Sequence, residues 1–131
     1  MTQAIVPPQP WLRALDVLDA VPAGCMAVRD MDGLCEPHIR TGEFAIADTA
    51  DREPQHGELF LLRWSNGRMS ILQAKLIQCD IGDGPQPTWW VCPLPGARKM
   101  ATSDGPYRDA ERLKAKIVGR IVGVMADHLA G

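Results

Sequence analysis

The sequence lacks three features that would each point to a broad class of protein: a basic excess, a long apolar run and an export signal. Its formal net charge is -2 at pH 7, so no surplus of lysine and arginine is present to neutralise a phosphate backbone. We therefore predict no direct binding of nucleic acid. The longest apolar stretch, Ile121–Ala126, is far shorter than the roughly 20 residues that span a bilayer, which argues against a membrane protein.

The first ten residues contain no basic segment followed by an apolar core, so no secretory signal is recognised. A cytoplasmic location is expected, with the four cysteines reduced. A chain of 131 residues corresponds to one domain and can bury a core without a disulfide or metal staple. Its 11 prolines and 12 glycines favour many turns and short strands over long helices.

Short segments of apolar residues, separated by turn signals, predict a mainly β fold. The one helical pattern is Pro10–Ala20, whose apolar residues lie mostly on one face and whose proline suits a first turn. Asn66-Gly67, between two apolar segments, predicts a tight hairpin. The predicted strands are Met26–Met31, Phe44–Asp48, Glu58–Trp64, Arg68–Gln78, Thr88–Cys92 and Lys116–Met125. We expect a mostly antiparallel β domain with one short N-terminal helix.

The chain is divided accordingly into a lead with its helix at residues 1–24, a β domain at residues 25–126 and a tail at residues 127–131. Cys79–Pro87 is predicted to be a loop, and Pro93–Tyr107 is predicted to be irregular because it is rich in proline and glycine. No repeat period is present.

Four segments together resemble the LexA-like family of self-cleaving repressors and mutagenesis proteins, which shares its fold with bacterial signal peptidases. Glu36-Pro37 matches the family's Glu-Pro, and Thr41-Gly42-Glu43 matches its Asp-Gly-Asp. His56-Gly57-Glu58 matches a second Gly-Asp, and Ile117–Met125 matches the closing strand. The resemblance covers about residues 26–126 and implies a β-clip or barrel-like domain, with dimerisation through the C-terminal region.

The same resemblance places the family's catalytic serine at Leu34 and its general-base lysine at Leu72, with a one-residue shift giving Gln73. A serine hydroxyl is a weak nucleophile until a neighbouring base removes its proton, and leucine can neither attack a carbonyl nor accept a proton. We therefore expect an inactive site in which two leucines pack as part of the core.

Two neighbouring residues are candidates for a relocated catalytic pair. Cys35 follows Leu34 and is intrinsically nucleophilic, and Lys75 follows Leu72 by three positions. Adjacent residues on an extended segment point to opposite faces, so Cys35 is expected to face away from a base meant for Leu34. Ser70 shares the face of Leu72 but has no lysine beside it in the sequence.

Cleavage and metal binding each have one candidate. Ala23-Gly24 is the kind of dipeptide that the family cleaves, although it more simply ends the predicted helix. Cys35-x-x-His38 has a usable metal-ligand spacing, but no second close pair completes a tetrahedral set. Neither a metal nor a cofactor is therefore expected.

An interface with a protein partner is predicted at the end of the chain. Trp89 and Trp90 either pack as a strand pair or present one ring to a partner. The last strand is apolar on both faces apart from Arg120, and as an exposed edge it would pair with a second copy. Its interface candidates are Ile117, Val118, Ile121, Val122 and Val124.

Three functions follow from these observations and from the resemblance. The first is a catalytically inactive LexA-like module for dimerisation and regulation, in a phage or stress-response setting. The second is an active self-cleaving or trans-acting peptidase that uses Cys35. The third is a transcriptional regulator whose DNA-binding domain belongs to another chain.

Overall fold

The computed structural model of the chain describes residues 15–95 and 103–126, and these residues form a mainly β domain, as predicted. One short helix, α1, covers Ala110–Lys114. The strands are β1 (Asp16–Val17), β2 (Cys25–Arg29), β3 (Phe44–Asp48), β4 (Leu59–Arg63), β5 (Met69–Asp80), β6 (Pro85–Cys92), β7 (Asp104–Tyr107) and β8 (Ile117–Met125).

All eight strands belong to one sheet, in the order β2-β3-β8-β4-β5-β6-β7, with β1 paired to β8 beside this path. The neighbouring pairs on the path are antiparallel, and among the strands of the described residues only the β1–β8 pair is parallel. The β4–β5 hairpin turns at Asn66-Gly67, as predicted. Gly67 has a φ of 84°, a conformation that a side chain would strain.

The predicted N-terminal helix is wrong in the part of Pro10–Ala20 that the structure describes, and residues 10–14 lie outside the described residues. Asp16 and Val17 instead form β1, which pairs with Gly123 and Val124 of β8. An eleven-residue helix is marginal by itself, so contacts with the rest of the fold decide its conformation. The glycine at position 123 leaves room for Leu18 to pack against β8.

The predicted position of the last strand at a sheet edge is also wrong. β8 pairs with β3 along one edge and with β4 and β1 along the other. Its backbone groups are therefore used within the sheet, and a second chain cannot add to it by strand pairing.

Two regions predicted to lack regular structure contain strands. The β5–β6 hairpin extends through most of Cys79–Pro87, and β7 covers the end of Pro93–Tyr107. β7 pairs only with the second half of β6, so one edge of the first half of β6 has no neighbouring strand in the described part of the chain. Pro85 and Pro87 lie in this first half, where a missing N–H is tolerated.

The core has two parts, one on each face of the central strands. In β4, Leu59 and Leu61 belong to one hydrophobic cluster, and Phe60 and Leu62 belong to the other. In β5, Ile71 belongs to the first cluster and Leu72 to the second. Because successive side chains alternate across a strand, this continuous apolar run is buried on both sides.

Candidate functional site

Leu34 and Leu72, which stand where the resemblance placed the catalytic pair, lie in the same hydrophobic cluster. They are 8% and 4% exposed, and Phe60 and Val91 belong to the cluster with them. The backbone oxygen of Leu34 accepts a hydrogen bond from the N–H of Leu94 at 2.8 Å, which fixes the segment before β3 to the strand end of β6. These two side chains can pack in the core but cannot transfer a proton.

Cys35 points to the opposite side of its segment and lies in the other cluster. Its side chain is 1% exposed, and its Sγ donates a hydrogen bond to the backbone oxygen of Ile71 at 3.2 Å. Burial, together with the nearby charge of Asp30, raises the pKa of the Cys35 thiol to about 12. The thiolate that a cysteine nucleophile needs is therefore disfavoured at neutral pH.

The other members of the alternative catalytic arrangements lie away from Cys35 or are already engaged. Lys75 follows Ile71 by four residues, about 13 Å along an extended strand. It pairs with Trp90 on β6. Ser70 accepts a hydrogen bond at its Oγ from the indole N–H of Trp64 at 2.9 Å. The structure does not bring Cys35 and Lys75 together.

Ala23-Gly24, the cleavage candidate, lies in an exposed tight turn just before β2. The N–H of Cys25 donates to the Pro22 oxygen at 3.1 Å, which closes the turn, and Gly24 has a φ of 79°. The Gly24 oxygen also accepts a hydrogen bond from the Thr49 hydroxyl at 3.0 Å. This dipeptide is thus held in a turn.

Most of the predicted interface residues are used inside the domain. Ile117, Ile121 and Val124 are buried in the two core clusters, so they are not available to a partner. Trp89 packs against the cluster that contains Leu34, and the indole N–H of Trp90 donates to the Thr88 hydroxyl at 3.1 Å. Val118 and Val122 are only partly buried.

A groove of about 540 Å³ opens beside Leu34. Residues 28–32, from the end of β2, form one part of its lining, and residues 68–71, from the start of β5, form another. Leu34 and Leu61 line it as well. Because β3, β8 and β4 separate β2 from β5 in the sheet order, the sheet must curl for both strands to reach one groove.

The β5 side of the groove is a strand edge without a strand partner in the described part of the chain. β6 pairs with β5 only from Gln73 onward, whereas β4 pairs with it from Met69. The N–H of Ala74 donates to the Glu58 oxygen, and the Ala74 oxygen accepts from the Gly57 N–H, so both backbone groups of Ala74 point towards the β4 side. Because these directions alternate along a strand, the backbone groups of Ile71 and Met69 point away from β4. The Ile71 oxygen accepts the Cys35 thiol, in agreement with that direction.

The remaining groups on this edge have no partner within residues 15–95 and 103–126. They are the N–H of Ile71 and both the N–H and the oxygen of Met69. β2, on the other side of the groove, is the terminal strand of the sheet path. The groove therefore lies between the terminal strand β2 and the start of β5.

Asp30 is a buried groove residue that is not among the candidates predicted from the sequence. It is 6% exposed. Two backbone hydrogen bonds hold it in place: the Asp30 N–H donates to the Glu43 oxygen at 2.8 Å, and the Asp30 oxygen accepts from the Gly42 N–H at 2.6 Å. Oδ1 accepts from the Asp32 N–H at 3.2 Å, whereas Oδ2 has no partner among the described residues. Burial raises the pKa of the carboxyl above its usual range.

Asp30 carried no recognisable signal in the sequence, since an aspartate at the end of a predicted strand usually faces solvent. In the part of the chain that the structure describes, no three His, Cys, Asp or Glu side chains are grouped as metal ligands. None of the described helices is both long enough and apolar enough to cross a membrane.

Comparison with known proteins gives no match to a protein family, to a curated protein or to a solved structure. The resemblance to LexA-like proteins therefore stays a prediction.

Proposed function

We propose that this chain is a peptide-binding module without peptidase activity, which holds an extended segment of a partner protein in the groove between β2 and β5. The observation that carries the proposal is that three backbone groups, the N–H of Ile71 and the N–H and oxygen of Met69, have no hydrogen-bond partner among the described residues and lie at the edge of a groove of about 540 Å³. An added strand is a common way to recognise extended peptides, because the backbone hydrogen bonds supply affinity and the side-chain pockets supply specificity.

The dimensions and lining of the groove support this mode of binding. Small-molecule and peptide subsites commonly enclose roughly 300–1,000 Å³ and combine an apolar surface with a few placed polar groups. Here Leu34 and Met69 supply apolar surface, and Asp30 and Ser70 supply polar groups. A segment lying along β5 would contact both kinds of group.

Two observations favour binding over cleavage. Leucines stand at the positions that the LexA-like resemblance assigns to the catalytic pair, and both are buried in one cluster. The alternative nucleophile, Cys35, is buried with its thiol protonated and bonded to Ile71. A regulatory interaction module in the cytoplasm, where the four free cysteines stay reduced, fits these properties.

Dimerisation remains a prediction, but it would have to use a surface other than the edge of β8. β8 is paired on both edges, so a dimer would need another surface, such as the partly exposed rings of Trp89 and Trp90. A solution mass that matches one chain would exclude the homodimer without affecting the proposed peptide binding.

The proposal is tested with an arrayed library of acetylated, amidated heptapeptides. We expect a subset to bind, and we expect Met69→Pro to weaken the binding by about tenfold or more because proline removes a groove-facing N–H. Met69→Leu, which keeps the N–H and a similar volume, is the matched control and should bind normally. Binding that is equal in both variants, or no binding at all, would refute strand addition.

Cleavage is followed in the same samples. After prolonged incubation, mass spectrometry should find both the protein and each bound peptide intact. A cleavage product whose formation is blocked by a fluorophosphonate or by iodoacetamide would favour the peptidase alternative instead.

A further inference from the structure

We infer that the groove selects peptides that present a basic side chain, arginine or lysine, to the carboxyl group of Asp30. This inference rests on the proposed function and specifies its ligand. It starts from one observation: a side chain that lines the groove is 6% exposed and has a carboxyl oxygen, Oδ2, with no hydrogen-bond partner among the described residues.

Two other carboxyl groups lie near the side chain of Asp30. The carboxylates of Asp32 and Glu36 lie close enough to oppose its ionisation, whereas the backbone N–H groups of Asp32 and Gly33 favour it, and the charge of Asp30 in turn raises the pKa of the Cys35 thiol. Asp30 forms no salt bridge with a cation of the described residues. The guanidinium of Arg29, the adjacent residue, lies over the Phe44 ring, 4.7 Å from its centroid.

A buried carboxylate that lacks a cation is unfavourable, and a bound guanidinium or ammonium group would supply both the missing hydrogen bond and the opposite charge. A neutral donor would supply only the first. Charge complementarity at Asp30 therefore favours a basic side chain over an amide or a hydroxyl.

The groove also suits the stem of such a side chain. Leu34 and Met69 line it with apolar surface, along which the methylene groups of arginine or lysine can lie. Arg68, an exposed residue on the β5 side of the lining, is the basic group across the groove, and it disfavours a second basic residue there. One basic residue in an otherwise uncharged segment is the expected ligand.

The binding should depend on pH in a stated direction. Because the pKa of Asp30 is raised, its charge develops above the usual range of an aspartate, while arginine stays charged throughout. Affinity for an arginine peptide should rise as pH increases through that transition. A citrulline peptide should show little of this rise.

The test uses the heptapeptide library in which each sequence has arginine, lysine, citrulline or norleucine at its centre. Citrulline keeps the shape of arginine but carries no charge. By fluorescence anisotropy, we expect the arginine form of a binding peptide to bind about tenfold or more tightly than its citrulline form. Asp30→Asn should reduce this ratio to near one, and Asp83→Asn, the same change on an exposed turn, should leave it intact.

The outcomes separate the two proposals. If peptides bind but arginine and citrulline forms are equal, or if Asp30→Asn keeps the preference, the inference about Asp30 is overturned and peptide binding stands. If no peptide of the library binds, the proposed function fails and the inference fails with it. The comparison of arginine with citrulline needs no protein variant, so it decides the question even if Asp30→Asn does not fold.

Discussion

The surroundings of Asp30 oppose its charge. Its side chain is buried beside two other carboxylates, and one of its oxygens has no partner in the described part of the chain. A group of this kind binds its proton more tightly in the folded protein than in the unfolded chain. Its contribution to stability is therefore present at low pH and is lost as pH rises through the raised pKa.

Asp30→Asn removes this loss of stability. We expect the variant to gain stability relative to the natural sequence as pH increases from about 4 to about 7, because only the natural chain then buries a charge. Urea unfolding at both pH values measures the difference. A difference that is the same at both values would show that Asp30 titrates normally in the folded protein.

The cysteines should differ in reactivity because they differ in burial. Cys35 is 1% exposed, its thiol bonds to Ile71, and its pKa is raised to about 12. Cys25, Cys79 and Cys92 are partly exposed. Peptide mapping after brief iodoacetamide treatment at about pH 8 should find Cys35 unmodified and the other three alkylated, with all four alkylated in urea. Rapid labelling of native Cys35 would instead revive it as a nucleophile.

At the scale of elements, the glycines of β8 explain how neighbouring segments approach this strand. A Cβ at Gly119 would overlap the backbone oxygen of Asp48, which the β3–β8 pairing holds in place. A Cβ at Gly123 would lie 2.8 Å from the Leu18 Cδ1, which can move away, and 3.0 Å from the backbone oxygen of Asp16, a weaker overlap than the one at Gly119. The two sites therefore carry different penalties for the same substitution.

Gly119→Ala should destabilise the domain by about 1–3 kcal/mol or more, the range for overpacked sites, and Gly123→Ala should cost less. Urea unfolding of both variants measures the difference. A larger cost at position 123 would mean that β1, and with it Leu18, is held more firmly against β8 than its short pairing implies.

Elements that depend on local signals were predicted well. Asn66-Gly67 fixed a hairpin by turn chemistry, and β3 matches the predicted Phe44–Asp48 because alternation and bounding turns agree there. Leu15–Ala20 was predicted incorrectly because a helical spacing of apolar residues cannot reveal that a distant strand offers pairing. The length of the β5–β6 hairpin was missed because its prolines lie where one edge of the strand is unpaired.

At the scale of the whole molecule, the last strand holds the sheet together. β8 contacts β1, β3 and β4, which come from three separate parts of the chain. From Ile117 to Gly123 its residues alternate between a buried and a partly buried position, as Ile121 and Val122 show. An apolar strand thus has a structural explanation that does not require a partner.

Lysine substitutions at these adjacent positions separate a core strand from an interface. Ile121→Lys should abolish folding, because it buries a charge without a partner. Val122→Lys should leave both the fold and the solution mass unchanged, as measured by circular dichroism and light scattering. A Val122→Lys variant with half the mass of the natural protein would restore the predicted interface at β8.

The sequence alone determined the fold class, most strand positions and the apolar character of Leu34 and Leu72, because these follow from periodicity, turn residues and side-chain chemistry along the chain. Only the tertiary structure decided that β8 is internal, that β2 and β5 share a groove and that Asp30 is buried beside it. These properties arise where segments far apart in sequence meet, since strand order and the curl of a sheet depend on long-range pairing that no local pattern encodes.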